Sequence, residues 1–511
     1  MPKRSPARTV VIDMGSNSFR LVVFDYTPDR WWRRSDEIYD GVRIGAGLLD
    51  RGSLSPERVE RALEVMVVYA HFCSASGIPA GSVRAVATSA IRDATNGAEF
   101  AERVRRETGI TVRVLSADEE AHYAYLAAIN STTLVDGVVL DLGGGSLQLV
   151  HVGARAALAT ASWPLGTVRM TERFFSDKRS ASKQCVVLRD HVLGELSTAL
   201  WLAGAGEAIV GMGGTVRNLA AAAATAAERA GLGVQGYHLS AEALSALIDE
   251  LASRPESARA QLPGIKPERA GVILAGAVVV AAVMEAAGAS RVEVTEAGLR
   301  EGVFFSSYLA HRDPPLFENV REASVLNLAS QYQDDLAHCR HVAHLAVALW
   351  HALEAVGATP STDLPAAELL WAAGMLHDIG MAIDYDDHHR HSRYLVLAAG
   401  LPGFSQREQA LLAQTVRYHR KGSPELGELA TLCERGDERL LTALAAVVAL
   451  AEHLDRSRDG TIEVAGLHAD NGSLALELEV SRRGDEVLAR WGAERQSELF
   501  RRAFGRTLTV A

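Results

Sequence analysis

Cysteine and aromatic residues are scarce in this chain, which has four cysteines among 511 residues and 6% aromatic side chains. Cys73, Cys185, Cys339 and Cys433 are scattered and form no CxxC pair. The pattern therefore implies neither a disulfide framework nor a cysteine-ligated metal site. We expect reduced thiols, as is typical of a cytoplasmic protein.

Long apolar runs and an excess of positive charge are also missing. No run reaches the ~20 residues that a membrane-spanning helix needs, and residues 1–5 lead into a strand-like segment without the apolar core of a signal peptide. The formal net charge of -11 argues against nucleic-acid binding over the whole surface. We expect neither a nucleic-acid nor a membrane partner, while a polyanion could still bind in a local basic groove or through metal ions.

The length of the chain predicts several domains, because 511 residues exceed what one hydrophobic core usually supports. Strand and helix patterns alternate up to about residue 305, which indicates α/β layers. Amphipathic helices rich in Ala, Leu and His follow, and strand-like alternation returns near the C-terminus. We predict α/β domains at 1–130 and 131–305, a helical domain at 318–460 and a small α/β segment at 461–511.

Two segments of the α/β region repeat each other. Residues 10–23 (VVIDMGSNSFRLVV) and 138–151 (VVLDLGGGSLQLVH) align without gaps. Each predicts an apolar strand, a Gly-rich turn and a second strand. The alignment places Asp13 opposite Asp141 and Arg20 opposite Gln148. The repeat predicts two similar α/β halves that face each other.

The turns of this repeat have the composition of phosphate-binding loops. Glycine lets backbone N–H groups approach phosphate oxygens, and small hydroxyl residues add donors. One such turn would be weak evidence, but two in matched context, with a third Gly turn after a strand at 211–215, favour phosphate binding. The candidate residues in the turns are Gly15, Ser16, Asn17, Ser18, Gly143, Gly144, Gly145, Ser146, Gly213, Gly214 and Thr215.

The paired loops resemble those of the actin/hexokinase/Hsp70 ATPase superfold, and their surroundings resemble the Ppx/GppA phosphatase family. The matching segments, in family order, are DMGSNS (13–18), ATSAIR (87–92), DEEA (118–121), DLGGGS (141–146), GMGGT (211–215), LPGIKPERA (262–270) and GLREG (298–302). The resemblance implies a pair of actin-like (RNase H-like) α/β domains, followed by an all-α HD-like domain and a small α/β tail. It also implies hydrolysis of a terminal phosphoanhydride bond.

The resemblance also implies roles for four carboxylates. Glu120 is similar to the base that activates the attacking water, and Glu119 is a weaker candidate. In-line attack on a phosphoanhydride needs an oriented water and a nearby carboxylate. Asp141 and its counterpart Asp13 resemble metal-associated carboxylates, with Mg²⁺ or Mn²⁺ as the expected ion. The alternative is that Glu119 and Glu120 are only a helix N-terminal pair, which the helix dipole favours.

Further candidates surround the loops. Arg92, after Thr88 and Ser89 in the second matching segment, would donate a planar fork to phosphate and is a candidate catalytic residue. The candidate phosphate ligands outside the Gly turns are Arg20, Thr88, Ser89 and Arg269. The alternatives are a solvated charge for Arg92, a position on one strand face for Arg20, and a helix-capping ion pair for Arg269.

Two positions depart from the family pattern. Gln148 stands where the family usually has Glu, and an amide ligates a divalent cation less strongly than a carboxylate does. Gly271 stands where the family commonly has Asp. The first departure, at a predicted metal position, makes a protein of reduced activity plausible.

The helical region carries a second candidate metal site. Its residues are His341, His377, Asp378, Glu452 and Asp455. Two histidines, an adjacent aspartate and a distant acid resemble the ligands of HD-type phosphohydrolases, and imidazole and carboxylate suit divalent metals. Glu452 stands where Asp is more typical, and the alternative is a structural or dimerisation role without metal.

A second group of polar residues in this region is rich in His and basic side chains: His388, His389, Arg390, His391, His419, Arg420 and Lys421. They could form a positive track for a long polyphosphate chain. Helix-end packing with solvated charge is the alternative.

These patterns predict an exopolyphosphatase that releases orthophosphate from inorganic polyphosphate. The first alternative is a guanosine pentaphosphate (pppGpp) phosphohydrolase, which would share the phosphate loops. The second is a weakly catalytic regulator that binds polyphosphate or nucleotide. The resemblance also implies a homodimer formed through the C-terminal region.

Overall fold

The computed structural model of the chain describes residues 6–175, 180–224, 232–333, 335–470, 472–481 and 486–510. Residues 1–5, whose lack of an apolar core is noted above, lie outside these ranges. The chain forms two compact units: a first unit of Met1–Thr225 with Val234–Val320, and a second unit of Ala226–Gly233 with Arg321–Ala511. Within the described residues, no helix is both long and apolar enough to cross a lipid bilayer.

The first unit begins with a five-stranded sheet of order β3-β2-β1-β4-β5. Its strands are β1 (Ala7–Met14), β2 (Phe19–Thr27), β3 (Trp31–Asp40), β4 (Val83–Ala87) and β5 (Val112–Val114). The first three strands are antiparallel, and β4 and β5 run parallel to β1. Val10, Val11 and Ile12 are fully buried, as expected for a strand covered on both faces.

Five helices lie in this part of the chain: α1 (Leu48–Arg51), α2 (Pro56–Ala75), α3 (Ser89–Asp93), α4 (Gly97–Thr108) and α5 (Ala117–Ile129), the last of which packs against the next sheet along the chain. Helix α5 begins with a capping box, in which the Ser116 side chain accepts from the Glu119 N–H and the Glu119 side chain accepts from the Ser116 N–H. The two reciprocal bonds satisfy donors that a helix start leaves unpaired.

A six-stranded sheet of order β10-β11-β9-β6-β7-β8 follows in the same unit. Its strands are β6 (Gly137–Leu142), β7 (Leu147–Gly153), β8 (Ala156–Trp163), β9 (Ile209–Met212), β10 (Tyr237–Ser240) and β11 (Arg291–Val294). The next helices along the chain are α6 (Thr167–Phe174), α7 (Ala181–Leu196), α8 (Gly213–Ala223), α9 (Ala241–Ser253), α10 (Glu256–Arg259), α11 (Ile273–Ala287) and α12 (Leu299–Tyr308). Of these, α12 packs against β1 of the first sheet and against α5. Helix α11 is apolar on nearly all sides and most of it is buried, as expected for a helix inside a core.

The two sheets share one topology. In both, an antiparallel three-stranded meander (β1–β3 and β6–β8) continues through its first strand into two parallel strands (β4 and β5, or β9 and β11). The second sheet adds β10 as an antiparallel edge. The predicted pair of similar α/β halves is thereby confirmed.

The second unit consists of helices followed by a small sheet. Its helices are α13 (Val320–Tyr332), which begins at the last residue of the first unit, α14 (Leu336–Ala355), α15 (Ala366–Leu376), α16 (His388–Ala399), α17 (Gln406–Tyr418), α18 (Asp437–Leu454), α19 (Glu486–Glu494) and α20 (Ser497–Phe504). The sheet has the order β12-β13-β14, from β12 (Ile462–Asp470), β13 (Ser473–Val480) and β14 (Thr507–Val510). The predicted helical region with a small α/β tail is confirmed, whereas the exact four-part division of the chain stays a prediction.

Candidate active site

The repeated hairpins end in turns of the same geometry. The N–H of Gly15 donates to the carbonyl of Ser18 over 3.1 Å, and the N–H of Gly143 donates to that of Ser146 over 3.0 Å. Asp13 pairs across the strands with Arg20, and Asp141 pairs with Gln148. The gapless alignment of the two sequences therefore corresponds to one register in both hairpins.

Both loops line one cleft of about 120 Å³. Its lining residues are Asp13, Gly15, Ser16, Asn17, Ser18, Arg20, Thr88, Ser89, Glu120, Asp141, Leu142, Gly143, Gly144, Ser146, Gly213, Gly214, Arg217, Arg269, Gly298, Leu299 and Arg300. The structure thus brings most of the predicted loop residues together. Five predicted residues lie outside the lining: Arg92, Glu119, Gly145, Gln148 and Thr215.

The second loop is held by the start of α6. The N–H groups of Thr167 and Val168 donate to the carbonyls of Gly143 and Gly144 over 3.0 and 2.9 Å. A Cβ added at Gly166 would lie 2.2 Å from the carbonyl carbon of Gly145, so only glycine fits between the loop and the helix. In the first loop, the hydroxyls of Ser16 and Ser89 are 3.2 Å apart and hydrogen-bonded.

Three carboxylates meet in the cleft. Burial raises the pKa of Asp13, and burial together with the charges of Glu120 and Asp13 raises the pKa of Asp141 to about 7. Negative groups that raise each other's pKa favour a bound cation. Carboxylate oxygens are the ligands that Mg²⁺ prefers, so Asp13 and Asp141, at the ends of β1 and β6, fit the predicted divalent ion.

Glu120 and Glu119 have different environments. Oε2 of Glu120, a buried residue, accepts from Nη1 of Arg92 over 2.8 Å. Burial raises the pKa of Glu120 and the Arg92 charge opposes this rise. Glu119 instead caps the start of α5 and pairs with Arg113. The geometry favours Glu120 as the candidate base.

Arg92 contacts Glu120 and the carbonyl of Leu115, which Nη1 reaches over 3.1 Å. Because Arg92 does not line the cleft, the structure supports a role in orienting Glu120 more than a direct phosphate contact.

Four arginines line the cleft: Arg20, Arg217, Arg269 and Arg300. Arg20 pairs with Glu37 at 2.6 Å, and Arg217 donates to the Glu296 carbonyl over 2.9 Å. Burial lowers the pKa of Arg217 to about 10, which leaves it charged at neutral pH. The cleft of this acidic protein therefore combines four guanidinium groups with the three carboxylates.

Arg217 and Arg300 were not among the candidates from sequence. Nη1 of Arg300 is buried and makes no hydrogen bond to any described residue, although it lies 4.0 Å from a Glu37 carboxylate oxygen. A Cβ on Gly302 would lie 1.9 Å from the Tyr123 carbonyl oxygen, so glycine lets α12 approach α5 closely. Arg300 of α12 and Glu120 of α5 both line the cleft. Two sequence signals could have identified these arginines: Arg300 lies in the GLREG segment, and Arg217 lies two residues after the third Gly turn.

Gln148 does not line the cleft, and its predicted part in the metal site stays a prediction. Its Nε2 donates to the Ser146 hydroxyl over 2.8 Å, and its buried Oε1 makes no hydrogen bond among the described residues. It therefore acts on the cleft through Ser146. Thr215 is likewise fully buried at the start of α8.

The chain matches the Ppx/GppA phosphatase family over residues 36–311 and Ppx/GppA phosphatase, domain III, over residues 320–490. The chain belongs to the Ppx/GppA phosphatase family. The family assignment from sequence and the prediction of a hydrolytic enzyme are thereby confirmed.

Relatives are known from both sequence and structure. A guanosine-5'-triphosphate,3'-diphosphate pyrophosphatase of Vibrio cholerae is 28% identical over 482 residues, covering 92% of this chain and 91% of the relative. The Vibrio vulnificus protein of the same name is 27% identical over 480 residues, with the same coverage of 92% and 91%. The crystal structure of the Aquifex aeolicus Ppx/GppA family member is 30% identical, with a TM-score of 0.52, and covers 60% of this chain and 99% of its own. An exopolyphosphatase structure from Cytophaga hutchinsonii, 22% identical with a TM-score of 0.54, covers 59% and 97% and shows the same fold.

In domain III, the predicted HD-type residues converge, with one exchange. His338 takes the place expected for His341: its Nδ1 is 2.7 Å from an Asp455 oxygen and its Nε2 is 2.9 Å from a Glu452 oxygen. His377 Nε2 is 3.3 Å from the same Glu452 oxygen. His341 Nε2 stays 3.9 Å from Asp455.

The predicted polyphosphate track divides into buried and surface residues. His388, His389 and His419 are buried, so they cannot line a surface path for a polymer. Arg390, Arg420 and Lys421 are exposed and His391 is half-buried. The buried histidines are therefore removed from the track, and the role of the others stays a prediction.

Proposed function

We propose that this protein is an exopolyphosphatase, which hydrolyses the terminal phosphoanhydride bond of inorganic polyphosphate and releases orthophosphate. The observation that carries the proposal is the cleft, where two phosphate-type loops, three carboxylates and four arginines converge. Its volume of about 120 Å³ is below the ~300–1,000 Å³ of sites that enclose a whole small molecule. The cleft suits the reacting end of a substrate whose remainder extends outside.

The proposed mechanism uses the loops and the arginines for positioning. Glycine-rich turns and guanidinium groups bind the terminal phosphates and stabilise the charge that spreads over the equatorial oxygens during transfer. A divalent ion held by Asp13 and Asp141 would neutralise part of the phosphate charge.

Glu120 is the proposed base. Its carboxylate takes a proton from a water that attacks the terminal phosphorus in line with the leaving oxygen. The new P–O bond makes orthophosphate, and the broken anhydride bond leaves a chain shorter by one phosphate. Arg92 orients Glu120 and opposes the rise of its pKa on burial, which makes Arg92 a positioning residue.

The second candidate substrate is pppGpp. The Vibrio relatives, which align over 92% of this chain, carry the name of an enzyme acting on that nucleotide. The chemistry at the cleft would be the same, because pppGpp also ends in a phosphoanhydride-linked phosphate.

One comparison tests both candidates. The full chain is given long-chain polyphosphate and pppGpp separately with Mg²⁺, and orthophosphate release is followed. Faster kcat/KM with the polymer supports the first proposal, and the reverse order replaces it with the second. Binding of either substrate without release would indicate a regulator instead.

Glu120→Gln tests the base directly. We expect a loss of about 10²–10⁴-fold in kcat with substrate binding retained. Glu119→Gln is the matched control, because it changes the neighbouring, more exposed carboxylate and should keep most of the activity. Full turnover by the Glu120 variant would contradict the mechanism.

The remaining parts of the proposal rest on family resemblance. They are Mg²⁺ or Mn²⁺ as the ion, a homodimer formed through the C-terminal region, and action in the cytoplasm.

A further inference from the structure

A second cluster of ligand-type side chains lies inside the second unit, separate from the phosphate loops. Asp378 follows α15, His388 begins α16 and His419 follows α17. All three are at most 5% exposed. The helix ends therefore enclose one carboxylate and two imidazoles in the interior of the unit.

The hydrogen bonds of the two histidines determine which ring nitrogen carries the proton. Nδ1 of His388 lies 2.7 Å from the Tyr385 carbonyl, and Nδ1 of His419 lies 2.7 Å from the Val416 carbonyl. A carbonyl oxygen can only accept, so each Nδ1 is the donor and each neutral ring presents an unprotonated Nε2. Arg420 lies 3.3 Å from the His388 Nδ1 but makes shorter bonds to the carbonyls of Tyr385 (2.9 Å) and Asp386 (3.0 Å).

The two Nε2 atoms and one carboxylate oxygen point at a common centre. Nε2 of His388 lies 3.1 Å from Nε2 of His419 and 3.2 Å from Oδ1 of Asp378, and the third distance, from His419 to Oδ1, is 3.9 Å. Three acceptors this close, buried and with no donor among them, repel one another unless a cation lies between them.

The spacing suits a metal ion. Ligand atoms bonded to zinc at ~2.0–2.1 Å in a tetrahedron are roughly 3.3–3.4 Å apart. This separation lies within the range of the three distances between the His388, His419 and Asp378 atoms. Metal-bound histidines typically donate their other ring N–H to a backbone carbonyl, as both rings do here. Arg458 donates to the opposite oxygen, Oδ2 of Asp378, over 2.7 Å and so fixes the carboxylate with Oδ1 towards the histidines.

We propose that Asp378, His388 and His419 bind a divalent transition-metal ion in the second unit. Two imidazoles and one carboxylate favour zinc, iron or cobalt over Mg²⁺. This set differs from the HD-type set predicted from sequence, since it uses two histidines that were assigned to a surface track. Nε2 of His377 lies 3.6 Å from the same Asp378 oxygen.

The metal content of the full chain tests the proposal. Protein treated with EDTA and desalted is given Co²⁺ or Zn²⁺ in slight excess and desalted again. Retained metal is measured by mass spectrometry, and the visible absorption of the Co²⁺ form reports nitrogen ligands. We expect about one retained ion per chain, and a retained-metal signal at background would overturn the proposal.

Variants assign the ion to its ligands. His388→Gln and His419→Gln should each lower affinity for Co²⁺ by at least about tenfold. His389→Gln is the matched control, because His389 is equally buried on α16 but lies outside the ligand set. Circular dichroism checks that each variant folds. If His388→Gln does not fold, the affinity of His419→Gln for Co²⁺ still tests the site.

A double variant of the cleft distinguishes this ion from the one expected between Asp13 and Asp141. Asp13→Asn with Asp141→Asn should still retain the Co²⁺ ion. Loss of the ion from this variant, or its retention by both His388→Gln and His419→Gln, would place the metal elsewhere and refute the site. Because the readout is metal content, failure here is distinguishable from failure of the proposed exopolyphosphatase activity.

Discussion

Replacing Arg92 by methionine tests whether its guanidinium sets the proton affinity of the proposed base. The two side chains share one charge-assisted hydrogen bond of 2.8 Å, with the Glu120 side chain 7% exposed and that of Arg92 23% exposed. A neighbouring arginine typically lowers a carboxyl pKa by about 1–3 units. Because solvent partly reaches Arg92, we expect a change of about 1–2 units, equivalent to roughly 1.4–2.7 kcal/mol.

The direction of the effect follows from the role of the base. Glu120 must be ionised to accept a proton, so kcat/KM rises as pH passes its pKa. Loss of Arg92 raises that pKa and should move the acid limb of the pH profile to higher pH by about 1–2 units. Orthophosphate release measured across a pH series, at fixed ionic strength and Mg²⁺, gives the profile.

Arg113→Met is the control for this experiment. Arg113, on β5, pairs with the adjacent Glu119, so its loss removes a comparable charge near the start of α5 without touching Glu120. An acid limb that stays in place in Arg92→Met, or shifts equally in Arg113→Met, would refute the assignment of Glu120 as the titrating base.

Four further substitutions give expected outcomes. Gly166→Ala should destabilise the fold by about 1–3 kcal/mol and abolish activity, because the new methyl group meets the Gly145 backbone. Gly194→Ala, which has open space around it on α7, should instead raise the free energy of unfolding by about 0.5–1 kcal/mol. Denaturant unfolding curves measure both changes. Arg300→Met should lower kcat/KM by roughly 10–100-fold through a lost bond to phosphate, and unchanged kinetics would exclude that contact. Gln148→Glu should lower Tm in EDTA and regain it with Mg²⁺, because it adds a buried negative charge opposite Asp141; a Tm independent of Mg²⁺ would separate this position from the metal site.

The two hairpins could be predicted from sequence because their determinants are local. Alternating apolar residues define each strand, the Gly-rich turn fixes the register, and the register places Asp13 beside Arg20. Arg217 and Arg300 reach the cleft from α8 and α12, whose positions depend on packing between distant segments. The GLREG segment and the third Gly turn mark the neighbourhood of these arginines, but they do not reveal which helix face meets the loops.

In the second unit, too, packing between distant segments decides which residues meet, and the sequence alone does not predict it. His338 and His341 lie three residues apart on α14, so helical periodicity puts both near one face. Packing against α18, which supplies Glu452 and Asp455, selects His338. The His-rich composition around His388 and His419 suggested a charged surface, whereas the junction of α16 and α17 buries both rings.

The glycines of the second loop determine which substitutions the cleft can accept. Gly143 and Gly144 offer only their main chain to a ligand, and the first loop has Gly15 and Ser16 at the matching positions. An exchange of side chain does not remove donors that belong to the peptide group, so a substitution affects this half of the recognition surface through the space that the new side chain fills. The loop therefore requires empty volume at these positions and does not tolerate side chains that fill it.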